Sequence, residues 1–246
     1  IPLSPFDPAY PLPALIAIGL LRFSKAPAAN PVGHLVRNMC RGRVLRVLEE
    51  IQPANGGFLE AAPLTSFVVI SLAATGYGNH RVVGKGVQFL LGGMRDDGSW
   101  PIDTNLATWV TALAVNALKR WGSGEIRRAD SIRKWLLSQQ FSRRNSFTDA
   151  APGGWGWTNL SGSVPDSDDT SGVLLALRSL GRLDEESIAA GSRGVRWLLD
   201  VQNSDGGVPT FCRGWGRLPF DRSCPDITAH ALRALACCCD VCVLRG

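Results

Sequence analysis

Trp197-Leu198-Leu199-Asp200-Val201-Gln202-Asn203-Ser204-Asp205-Gly206-Gly207-Val208 decides how the chain is read, because its pattern occurs four times. The other copies are Val47…Gln52…Gly56-Gly57-Phe58, Phe89…Met94…Gly98-Ser99-Trp100 and Trp135…Gln140…Gly153-Gly154-Trp155. Each has an apolar or aromatic anchor five residues before a Gln, with Met94 in its place in the second copy. A Gly or Gly pair then precedes an aromatic, replaced by Val208 in the last copy, and a further helix follows. One helical hairpin per repeat, at a period of some forty to sixty residues, predicts stacked hairpins closing into a solenoid or an α/α barrel. The Gln amide is expected to bond to a helix end while the aromatic packs beside it.

Between these connections the apolar spacing is helical. Residues 1–13, with prolines at 2, 5, 8, 11 and 13, read as an extended lead-in. A helix follows to about Phe23. Further helices are predicted over Val32–Gln52, Leu64–Thr75, Val82–Met94, Leu106–Trp121, Ile126–Gln140, Gly172–Leu180, Glu185–Gln202 and Pro225–Val241. No alternating strand run of useful length appears, so the chain reads as all-α. The division expected is a lead-in and first helix over 1–31, followed by one repeat domain over 32–246.

Within this framework Val164-Pro165-Asp166-Ser167-Asp168-Asp169-Thr170 runs straight into the apolar Ser171–Leu177. One Asp before a helix caps the orphan N–H groups of the first turn, and a second is tolerated by the helix dipole. Three carboxylates in four positions exceed what capping requires. If they are desolvated, repulsion holds at least one carboxyl protonated near neutral pH, and such a group is a proton donor. On residue chemistry alone, a cap on a solvated loop and an acid both remain open.

Composition narrows the classes. The 246 residues are 45% hydrophobic and 19% charged, enough for a sizeable core and too apolar for disorder. The net charge of +5 is spread thinly, apart from the knot Arg37, Arg41, Arg43 and Arg46 and the pair Arg127-Arg128. That argues against a nucleic-acid partner but leaves attraction to anionic lipid open. Seven cysteines, four of them crowded at 237–242, point to reduced thiols in a cytoplasmic setting rather than to a disulfide framework. No apolar run reaches the length of a membrane span.

Together these blocks resemble the terpenoid cyclase family and, within it, the squalene–hopene cyclases. Arg193-Gly194-Val195-Arg196-Trp197…Gln202…Gly206-Gly207 is similar to that family's QW motif. Gly153-Gly154-Trp155-Gly156-Trp157 followed by Pro165–Thr170 is similar to its aromatic-plus-DxDD block, and Pro225-Asp226-Ile227-Thr228-Ala229-His230 to its Asp-Val-Thr-Ala-His helix. The resemblance covers roughly residues 45–236 and implies an α/α barrel (toroid) of QW-type repeats. It implies that Asp168 protonates a terminal alkene of a polyprene such as squalene, with Asp166 and Asp169 tuning it, His230 hydrogen-bonding it and Asp226 behind His230. It implies an aromatic wall including Trp157 and Phe211, and neither metal nor cofactor. A squalene-like substrate is delivered from a bilayer, so peripheral membrane contact is expected as well.

The residues add to this independently. Asp226 and His230, four apart, share a helix face and could form a relay. Aromatic faces attract a carbocation while offering no lone pair to trap it. Trp155, Trp109 and Trp100 suit either repeat packing or the wall, and Trp215 and Phe220 are undecided. The sequence also departs from the family. Phe211 stands where the family has Tyr, Val110 where it often has Asp, Val208 replaces the last QW aromatic, and Leu64-Thr65 stands near an expected aromatic. About nine helices fall short of the roughly twelve of a closed barrel, so the chain reads as a partial one. Three alternatives remain beside this reading. One is a class II diterpene cyclase acting on a diphosphate with Mg²⁺. The second is a zinc prenyltransferase β-subunit type using Cys212, Cys224, Asp226 and His230. The third is a non-catalytic half-barrel whose apolar faces pair with a partner, a second copy of the chain included.

Overall fold

The computed structural model describes residues 12–27, 30–122, 126–145, 148–181, 184–212 and 221–242. Among these residues the regular structure is helical: α1 (Leu12–Lys25), α2 (Pro31–Ile51), α3 (Ala62–Leu72), α4 (Arg81–Gly93), α5 (Ala107–Arg120), α6 (Ala129–Ser138), α7 (Ser167–Ser179), α8 (Glu185–Val201) and α9 (Pro225–Cys242). The all-α class and the helical hairpins expected from the repeats are both present. No helix among the described residues is long and apolar enough to cross a membrane. Most boundaries fall within three residues of the sequence expectation, and two helices show the main differences. The sixth helix is shorter, and α7 begins at Ser167 rather than Gly172, so the acid block forms its first turn.

The chain forms two compact units, one of Ala9–Asn105 with Leu160–Gly162, the other including Leu106–Asn159 and Ser163–Gly246. In the first, α3 packs against α1 and α4. Gly86 on α4 permits the approach, since a Cβ there would lie 2.7 Å from Val69 Cγ2. This unit also buries a carboxylate among neutral donors. Glu60 is fully buried, and its oxygens accept from Asn55 Nδ2 at 2.8 Å, the Gly162 amide at 2.7 Å and Thr104 Oγ1 at 3.3 Å. The turn that carries it holds Leu59 and Glu60 at φ 56°, a left-handed conformation costly for residues with a Cβ.

In the second unit α5, α6, α8 and α9 all pack on α7. Ser167 and every residue from Asp169 to Leu177 are buried, as the unbroken apolar run requires of a helix enclosed on all sides. Helix α8 shows one apolar face instead, burying Ala190, Gly194, Trp197, Leu198 and Val201. Gly194 on that face makes room for the Trp155 ring.

The repeats act as the sequence suggests. Gln140 Nε2 donates to the Gly153 carbonyl at 2.7 Å and to the Ala190 carbonyl on α8 at 2.9 Å. Gln52 does the same for Gly56 at 3.1 Å and for Val82 on α4 at 3.0 Å. Gly153 adopts φ 118°, and a Cβ on it would lie 2.9 Å from the Arg193 carbonyl oxygen. Gly154 lies against the Trp197 indole, where a Cβ would be 2.9 Å from the ring. The Gln52 and Gln140 connections are thus each fastened by one side-chain amide and kept thin enough for the next anchor, Phe89 or Trp197, to cover them.

Replacing Gln140 with Ala removes the donor to two carbonyls and is expected to cost about 1–2 kcal/mol. A urea titration checks this through the midpoint, with the m-value unchanged.

Candidate active site

Asp166 caps α7, its Oδ1 accepting the Asp169 amide at 2.8 Å. A short bridge fixes the cap from behind. The Asp166 amide donates to the Trp155 carbonyl at 2.9 Å, and the Trp155 amide donates to Thr170 Oγ1, also at 2.9 Å. Trp155 is itself fully buried, with its indole N–H donated to the Leu136 carbonyl at 2.7 Å. It is a core residue that holds the acid turn, which corrects its assignment to the substrate wall.

The three carboxylates occupy different environments. Asp166 and Asp169 are 3% and 4% exposed, whereas the Asp168 side chain is 37% exposed. Burial pushes the Asp166 carboxyl well above its ordinary range, and the charge of Asp169 adds to the shift. Burial likewise pushes Asp169 up to about 7, aided by the charge of Asp168. Asp166 Oδ2 and Asp169 Oδ1 are buried and accept no hydrogen bond, in keeping with a site that disfavours full ionisation. The protonated carboxyl expected near neutral pH is therefore found on the flanking pair.

Asp168 points elsewhere. Its Oδ1 lies 2.7 Å from Nδ1 of His230, presented by the neighbouring α9. Asp226 does not stand behind that histidine. It is exposed in the first turn of α9 and accepts a hydrogen bond from the Cys224 thiol, which holds its carboxyl below the usual range. The relay expected from the four-residue spacing is corrected accordingly. Of the conceivable zinc ligands, Cys224 and Asp226 meet each other while His230 bonds Asp168. Among the described residues no three His, Cys, Asp or Glu side chains converge as a metal site.

Two predicted wall residues are brought together. The rings of Trp157 and Phe211 meet edge to face, with centroids 6.4 Å apart at 63°. The Trp157 carbonyl accepts the amides of Thr108 and Trp109 at 3.1 and 3.2 Å, tying it to the start of α5. Trp109 is exposed on that helix at 37%. Trp215 and Phe220 lie outside the described residues. Ser167 was not singled out by sequence, yet it donates from Oγ to the Phe211 carbonyl at 3.1 Å. The only sequence signal for it is a hydroxyl at the variable position of the acid block.

The chain has recognisable relatives among known proteins. The family model for the squalene-hopene cyclase C-terminal domain matches residues 105–239. Sporulenol synthase of Bacillus subtilis is 31% identical over 170 residues, covering 64% of this chain and 25% of that protein. Squalene–hopene cyclase of Alicyclobacillus acidocaldarius is 28% identical over 227 residues, covering 81% of this chain and 35% of that protein. The chain thus spans about a quarter to a third of the length of these relatives. Among solved structures, a type II terpene cyclase from Scytonema in complex with geranylgeranyl dihydroxybenzoate aligns at 13% identity and a TM-score of 0.32, over 97% of this chain and 69% of that one.

The raised carboxyl of Asp169 sets a pH dependence. Folding favours its protonated form, so that stability is present in acid and is lost as pH rises from 3.8 through about 7. Asp169→Asn is expected to melt level with the parent at pH 4 and above it at pH 8. Scanning calorimetry at the two pH values checks this.

Proposed function

The chain belongs to the squalene-hopene cyclase C-terminal domain family, and from that premise we propose that it takes part in the cyclisation of a linear polyprene such as squalene. Asp168 is the acid. Its proton, carried on Oδ2, passes to a terminal alkene, where the π electrons form the new C–H bond and a tertiary carbocation results. Successive double bonds then attack the cation, and loss of a proton ends the sequence. No metal or cofactor takes part in these steps.

The observation that carries this reading is the 2.7 Å contact between His230 Nδ1 and Asp168 Oδ1. With Nδ1–H donated to Oδ1, the carboxylate left by proton transfer is stabilised by a hydrogen bond already in place. The half-exposed position of Asp168, against two buried neighbours, supports its role as the one that meets substrate. Trp157 and Phe211 supply π faces to the cation and no nucleophile.

The substrate's insolubility makes peripheral contact with an anionic membrane part of the proposal. Residues 8–48 contain six Arg and Lys and no Asp or Glu. A cavity of about 660 Å³ in this stretch is lined by Leu15, Leu20 and Phe23 together with Arg22, Arg37 and Arg41. An apolar surface edged by Arg22, Arg37 and Arg41 suits an anionic lipid interface.

Detergent-solubilised protein incubated with squalene, with and without EDTA, tests the acid. A cyclic isomer is expected in both arms, and Asp168→Asn should lower its rate about 10²-fold or more. Cyclisation by Asp168→Asn at the parent rate would contradict the assignment. Turnover of a prenyl diphosphate that EDTA abolishes would point instead to a metal-assisted cyclase.

A further inference from the structure

Ser167 is fully buried between two chemically important neighbours, and it makes two bonds to one short segment. Its amide donates to the Thr210 carbonyl at 3.3 Å, and its Oγ donates to the Phe211 carbonyl at 3.1 Å. Its own carbonyl accepts Ser171 Oγ at 2.6 Å, so the residue is held from both sides. The next residue along α7 is Asp168. The ring that the segment carries, Phe211, is the one that meets Trp157.

The segment has a second anchorage on α9. The Val208 amide donates to Thr228 Oγ1 at 2.9 Å, and the Cys224 amide to the Val208 carbonyl at 3.0 Å. One end of the segment is therefore fastened beside the helix that bears His230, the other to the helix that bears Asp168. On the α7 side, one amide bond follows from any residue at 167. The hydroxyl bond is specific to Ser.

We propose that Ser167 is a positioning residue that sets the spacing between the acid at Asp168 and the aromatic pair Trp157–Phe211, and so the point at which the cation is quenched. This rests on the reading of Asp168 as the proton donor. Ser167 touches no reacting atom and acts through the Phe211 backbone. The attraction of a cation to a ring face falls off over a few ångströms. A segment released by one bond therefore changes which intermediate the wall stabilises more than it changes the first proton transfer.

Ser167→Ala removes the hydroxyl bond at little cost in volume, and Ser167→Thr keeps a hydroxyl. Hydrogen exchange followed by mass spectrometry reads the tether without reference to activity. In Ser167→Ala the amides of 208–212 are expected to exchange about tenfold faster, while those of 172–179 keep the parent rate. With squalene as the probe, the same variant should shift product towards less cyclised skeletons while substrate consumption changes less, and Ser167→Thr should restore the parent ratio. Exchange at the parent rate in Ser167→Ala would overturn the proposal. A loosened segment with an unchanged product ratio would overturn it too, reducing Ser167 to a structural role. If the parent itself forms no product from squalene, the reading of Asp168 fails with that substrate, and the exchange result alone decides the tether.

Discussion

Enclosure of α7 is the constraint on which the active-site geometry depends. A helix packed on by α5, α6, α8 and α9 leaves little solvated surface at its first turn, so most charged groups placed there lose hydration. The chain places three carboxylates in that turn. The outcome is a division of labour set by burial. Asp166 satisfies the helix end, Asp166 and Asp169 are pushed towards their neutral forms, and Asp168 alone of the three keeps partial access to solvent and a hydrogen-bond partner in His230. A buried carboxyl held neutral costs stability at alkaline pH and keeps the surroundings of Asp168 from accumulating negative charge.

The same economy of polar groups runs through the scaffold. Gln52 and Gln140 each satisfy a loop carbonyl and a carbonyl of the following helix with one side-chain amide. Trp155 and Thr170 do the same for the bridge behind Asp166. Buried backbone groups left without partners would cost free energy comparable to a lost hydrogen bond each, which is why these connections are specified so closely. Glu60 is the extreme case, a fully buried carboxyl that, among the described residues, accepts from the neutral donors Asn55, Gly162 and Thr104.

Much of this is legible in the sequence, for physical reasons that also mark its limits. The repeats could be read because an anchor five residues before a Gln or Met, followed by a Gly-containing connection, recurs along the chain. The crowding of carboxylates at a helix start could be read because three of them fall within four positions directly ahead of an apolar run. The Asp226–His230 relay could not. A spacing of four fixes a common helix face but not which neighbour a side chain bonds, and the Cys224 thiol two residues away takes the Asp226 oxygen. Trp155 and Trp157 stand two apart in a single motif, yet one is core and the other pairs with Phe211. Alternation shows that they face differently without saying which face is the core. Ser167 carried no pattern at all, since its partner lies forty-four residues along the chain.

The central claim is that cyclisation begins with a proton from Asp168, and the isotope content of the product tests it most directly. The protein is equilibrated in D₂O so that the carboxyl carries deuterium, then supplied with unlabelled squalene. The account predicts a cyclised isomer bearing one deuterium, located on the ring methylene carbon next to the gem-dimethyl carbon, where the first C–H bond forms. A cyclised product without deuterium at that carbon would contradict it, because the cation would then have arisen by some route other than protonation.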